Sequence, residues 1–158
     1  MCWITYNKNN LDHVIASKDI PIYKIMHFKR EFLFKKKFIS AFRDFQYKLG
    51  ETYSGEMGIP RLDNTVVGGR YYIDRGFHSY NPLVTYITKG RDALHSIDIK
   101  CRDHNIGGFL LDNNLVILYG YIPRGACYHE NEDGECVSNA IKLTHYKKIT
   151  GENLNKLV

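Results

Sequence analysis

Apolar and polar positions along the chain alternate or cluster with a short period, and strands account for most of that pattern. Ile20-Pro21-Ile22-Tyr23-Lys24-Ile25-Met26-His27-Phe28 is rich in β-branched and aromatic residues and reads as a strand, with Pro21 at its start, where a missing donor is tolerated. Residues 31–48 hold Phe32, Phe34, Phe38, Phe42 and Phe45 at mixed spacing and are expected to be extended, broken near Ser40 and closed by Leu49-Gly50. Gly55, Gly58, Pro60, Asp63 and Asn64 predict a long loop. A second strand is expected over about Arg70–His78. A helix then opens at Asn81-Pro82, with Leu83, Tyr86, Ile87, Ala93 and Leu94 on its apolar side and Gly90 weakening its middle. Ile97–Cys101 is a short strand candidate and Gly107-Gly108 a turn. Within Phe109–Ile122 the run Leu115–Tyr119 is a strong strand, with a hairpin through Asp112-Asn113-Asn114 as an option. Pro123-Arg124-Gly125 ends it. An acidic loop follows at Glu130–Glu135, and a last strand near Ala140–Ile149. The predicted class is α+β: mostly antiparallel strands with one or two helices, in a single domain spanning 1–158.

Composition adds little to that picture except in charge and aromatic content. Aromatic residues make up 13%, with twelve Tyr, eight Phe and one Trp, which favours strands and broad aromatic packing over a helical bundle. Residues 1–50 hold ten Lys/Arg against four Asp/Glu, so the whole excess of the +5 chain lies in its first third. The cluster Lys29, Arg30, Lys35, Lys36 and Lys37, interleaved with Phe32 and Phe34, is what a single-strand nucleic-acid surface would use, or else a solvated edge that resists aggregation. No apolar run approaches the roughly 18 residues of a membrane span. The start, Met1 to Lys8, lacks a signal-peptide layout. A soluble, cytoplasmic protein without a membrane partner is expected.

Chemistry-bearing residues gather at one place. The strand-to-helix corner Gly76-Phe77-His78-Ser79-Tyr80-Asn81-Pro82 presents an imidazole and two hydroxyls, suited to a ribose or phosphate, with turn chemistry and aromatic packing as the alternative. Cys101, His104, Cys127, His129 and Cys136 are zinc-ligand types without a recognised spacing or any Cys-x-x-Cys, so no metal is assigned. Cys2 would become an N-terminal nucleophile only if Met1 were removed, and Trp3 sits where such enzymes carry glycine. Glu130–Glu135 lacks the ligand order of an EF-hand and reads as a solvated loop.

In order, these features resemble the ADP-ribosyltransferase fold of the toxin and polymerase type. Ile22-Tyr23-Lys24 resembles its first motif, Gly76-Phe77-His78-Ser79-Tyr80 its Gly-rich strand before a helix, and Val116–Ile122 with Val137-Ser138-Asn139-Ala140-Ile141 its closing strands. The resemblance implies a split sheet and a cleft formed by Tyr23, His78, Ser79, Tyr80 and Asn139. The family's catalytic acid would fall near Ser138-Asn139, where this chain has an amide. An amide can bond a ribose hydroxyl but cannot offset a developing oxocarbenium charge. The implied function is therefore a non-catalytic binding domain, with no catalytic residue and no cofactor, holding a nucleotide-like ligand or a protein partner. The Lys/Ile/Asn/Tyr-rich character is also similar to small phage and mobile-element proteins of gut bacteria, for which an inhibitor of host defence would fit. One alternative is an active transferase using NAD through His78 and Glu135. A second is a nucleic-acid-binding module acting through segment 29–37.

Overall fold

In the computed structural model, residues 3–30, 36–39, 45–82 and 115–148 are described. They form thirteen strands: β1 Trp3–Thr5, β2 Val14–Ile15, β3 Ile20–Arg30, β4 Lys36–Ile39, β5 Gln46–Tyr47, β6 Thr52–Ser54, β7 Arg61–Asp63, β8 Arg70–Ile73, β9 Phe77–Tyr80, β10 Leu115–Ile122, β11 Cys127–Glu130, β12 Glu135–Ser138 and β13 Ala140–Lys148. A 3-10 turn at Lys8–Asn10, capped by the Asn7 side chain, links β1 to β2. The class is all-β and sandwich-like, which corrects the α+β expectation: among the described residues no helix reaches seven residues. The expected helix after Asn81-Pro82, the strand 97–101, the turn 107–108 and the hairpin 112–114 lie outside the described residues, as do Cys2, Lys35, Cys101 and His104.

All pairings are antiparallel. The large sheet runs β2-β11-β12-β9-β3-β10-β13-β6, with β4 on β3 and β5 on β4; the small sheet runs β1-β8-β7. β3 and β10 form the spine of the large sheet, from Ile20↔Ile122 to His27↔Leu115. One face of this spine buries Ile22, Met26, Val116, Leu118 and Ile122 in the main core. The other buries Tyr23, Ile25 and Ile117. Burial on both faces explains why both segments read as nearly unbroken apolar runs.

The expected strand 70–78 is two strands in two sheets. The break is at Gly76, whose φ of +134° is costly for an L side chain; a Cβ there would sit 2.6 Å from Val137 Cγ2. The chain thus leaves β8 in the small sheet and enters β9 in the large one. The sheets are joined by a second cluster in which Trp3 and Ile73 pack on Val137, with Met57 beside them. The long loop from residue 55 contains β7, paired with β8 from Arg61↔Tyr72 to Asp63↔Arg70. The acidic segment 130–135 is a tight hairpin turn. The Asn131 side-chain oxygen accepts from the amides of Asp133 (3.0 Å) and Glu135 (2.9 Å), and its side-chain nitrogen donates to the Ile4 carbonyl at 2.7 Å. The acids of this turn serve the scaffold as well: Glu132 accepts from Thr5 at 2.9 Å and Asn10 at 2.8 Å.

Candidate functional site

Of the five residues expected to form a ligand cleft, the structure pairs two in the interior. Tyr23 on β3 stands opposite Tyr80 on β9, their rings 5.3 Å apart, and both are buried. His78 lies on the same face as Tyr80 and pairs in register with Val137. Ser79 points to the opposite face, fully buried, its Oγ without a hydrogen-bond partner among the described residues. Asn139 lies past the end of β12, where its side-chain oxygen accepts from the Cys127 amide at 2.9 Å. Its own amide donates to the Cys127 carbonyl (3.0 Å), and its carbonyl accepts from Gly55 (2.8 Å). Asn139 therefore joins β11 to the loop after β6, a structural task that the sequence did not announce.

Asn139 also lines an open groove of about 550 Å³ between the segment 11–13, β11 and the loop 55–60. Leu11, Met57, Ile59 and Pro60 form its apolar wall; His13, His129 and Asn139 supply polar groups, and Asp12 and Glu56 add carboxylates. His129 sits deepest, between the Trp3 ring at 5.4 Å and the exposed His13 ring at 6.2 Å. Burial holds its pKa below the ordinary histidine value, so the ring is neutral at pH 7; its Nδ1 lies 3.3 Å from the Asn10 carbonyl. Glu56 is bridged to Arg75 at 3.1 Å on the surface. Ile59 is 75% exposed, and β2, which begins directly after His13, exposes Val14 (52%) and Ile15 (55%). β2 is an end strand of the large sheet, paired with β11. The signal for this groove was weak in sequence, because its walls come from three segments far apart in the chain.

The remaining candidates separate. Cys127 and His129 project to one face of the β11–β12 hairpin and Cys136 to the other, since Cys136 pairs with Glu130 and Ser79. Among the described residues no three metal-ligand side chains converge. Glu135 bonds through its carboxylate to the Asn131 side chain at 2.9 Å, inside the hairpin turn. Of the basic segment, Lys29 and Arg30 end β3 and stand in register with Lys37 and Lys36 of β4. Lys24 is buried on the core face: its ammonium donates to the His78 carbonyl and lies 5.7 Å from the Tyr47 ring centre. Burial lowers its pKa from 10.5 to about 8. Among the described residues no helix is long and apolar enough to cross a membrane.

No family model matches the chain, and neither a curated protein nor a solved structure is detectably similar to it.

Proposed function

We propose that this chain is a non-catalytic binding domain whose groove beside Asn139 holds an extended segment of a protein partner. The observation that carries the reading is the groove's apolar wall, which runs from Leu11 and Met57 to the exposed Ile59 and opens next to the exposed Val14 and Ile15 of an end strand. An end strand offers unpaired backbone groups to an incoming strand, and neighbouring pockets select its side chains.

The lining favours a peptide over a nucleotide. A phosphate needs a cation or a cluster of backbone donors, and among the described residues the lining has no Lys or Arg but two carboxylates, Asp12 and Glu56. A segment that places an apolar side chain on the Met57–Ile59 wall and a Lys or Arg towards Asp12 fits both features. The side-chain oxygen and the main-chain polar atoms of Asn139 are engaged in holding strands together, which suits a preformed binding surface.

Selection from a displayed library of random peptides tests this. Enriched peptides should pair an apolar residue with a basic one, slow amide exchange at Val14, Ile15 and residues 55–60, and lose binding in Ile59→Asp. Enriched peptides that protect another surface, or a melting shift with NAD, ADP-ribose or a cyclic nucleotide that is lost in His78→Ala, would overturn it.

A further inference from the structure

A second surface, at the other side of the large sheet, has a different chemistry. Tyr119 and Tyr121 are two apart on β10 and so project to one face. Across the ladder Tyr119 pairs with His145 and Tyr121 with Lys142, because a bulge between Tyr119 and Gly120 shifts the register by one residue. Without that bulge, simple alternation would send residues 142 and 145 to opposite faces. With it, Lys142, His145 and Lys147 share the face that carries both tyrosines. The extra residue, Thr144, fixes the arrangement: its hydroxyl donates to the Tyr119 carbonyl at 3.2 Å and lies 2.9 Å from His145 Nδ1.

The resulting surface alternates flat rings and ammonium groups. The His145 ring stacks on Tyr119 with centres 4.9 Å apart and planes at 15°. Lys147 lies 5.8 Å from the Tyr119 ring centre, and Lys142 6.0 Å from that of Tyr121. His145 and Lys147 are exposed and Tyr119, Tyr121 and Lys142 half-buried. β3, β10 and β13 carry no Asp or Glu, and β13 brings Lys142 and Lys147 to this face.

We propose that this face, centred on Tyr119, Tyr121, Lys142, His145 and Lys147, binds single-stranded nucleic acid. Aromatic rings on a sheet face stack unpaired bases, and neighbouring lysines meet the phosphates. Side chains two apart on a strand are about 6.7 Å apart, roughly twice the 3.4 Å step of stacked bases, so each tyrosine suits one separated base. Ring stacking needs unpaired bases, which selects single strands over duplex. The face is independent of the peptide groove, whose lining residues it does not share.

Fluorescence anisotropy with labelled dT12 and rU12, from 50 to 300 mM salt, tests the assignment. Binding should weaken with salt, and Lys142→Gln with Lys147→Gln should flatten the log–log slope by about 1.4, at about 0.7 per phosphate contact in a single strand. Tyr121→Leu should weaken binding about tenfold with the slope unchanged. The ratio of the two oligomers reads which sugar is preferred. The exposed pair Lys8→Gln with Lys18→Gln removes the same charge elsewhere and should leave binding intact. Absence of binding at 50 mM salt, equal loss in the Lys8/Lys18 variant, or equal affinity for a duplex would overturn the proposal. Circular dichroism of each variant separates loss of binding from loss of fold.

Discussion

The Trp3 indole nitrogen donates a 3.0 Å hydrogen bond to the main-chain carbonyl of Glu135, 132 residues away. Trp3 belongs to the small sheet and Glu135 to the large one, so this bond and the Trp3–Ile73–Val137 contact fasten the two together. The same ring covers His129 at the base of the groove, which couples sheet docking to the shape of the site.

Trp3→Phe keeps an aromatic ring but removes one of two donors to the Glu135 carbonyl, which also accepts from the Asn131 amide at 3.0 Å. Losing that one bond costs about 0.5–1.5 kcal/mol, and urea denaturation should show a loss of that size. Trp3 is also the chain's single tryptophan, so its fluorescence reports sheet docking directly. Its transition should coincide with that of far-UV circular dichroism if both sheets unfold as one unit. An early fluorescence transition would mean that the small sheet detaches first.

The spine of the fold was legible because β3 and β10 are buried on both faces, and a strand buried on both sides prints a dense apolar run. The final strand was equally clear, since Ala140–Lys148 keeps two-residue alternation for most of its length. The short strands were not legible. β2, β5 and β6 have two or three residues each, too few for any period to register, and long-range pairing rather than local propensity makes them strands. Gly76 sits inside what reads as one strand over 70–78, because its positive φ and its contact with Val137 depend on a partner about sixty residues away. At the site the same limit applied: Tyr23 and Tyr80 were singled out for their chemistry, and their burial against each other is a property of strand order that no local motif encodes. The tyrosines of the basic face did carry a signal, their two-residue spacing. The bulge that aligns Lys142 and His145 with them did not.

Gly120 is the residue on which that bulge depends. An added Cβ would lie 1.9 Å from the Lys142 carbonyl oxygen and 2.8 Å from the Leu143 Cα, both backbone atoms with no rotamer to escape into. Gly120→Ala should therefore cost about 3 kcal/mol, at the upper end of overpacking penalties, read as a lowered urea midpoint. In the fraction that still folds, the Tyr119–His145 stack should be disturbed, seen as ring proton shifts by NMR. A variant as stable as the parent would mean that β10 and β13 pair without the bulge.

Lys24 makes stability depend on alkaline pH. In the unfolded chain its ammonium keeps its proton up to about 10.5, whereas in the fold burial brings this to about 8. Between those values the unfolded state binds more protons, so stability rises with pH across that window; below pH 8 the full cost of the buried charge is present. At about 1.4 kcal/mol per pH unit the cost is about 3 kcal/mol. The gain should be read between pH 8 and 9.5. Above pH 10 the trend reverses, because burial also pushes the Tyr47 phenol above its ordinary value, so the unfolded chain loses that proton first. Lys24→Met removes the charge while giving up the bond to the His78 carbonyl, worth about 1 kcal/mol. The variant should be about 2 kcal/mol more stable at pH 7, and its urea midpoint should stay flat from pH 8 to 9.5 where the parent's climbs. If Lys24→Met is instead less stable at pH 7, and the parent shows no climb, the ammonium is solvated or paired and the buried-charge account fails.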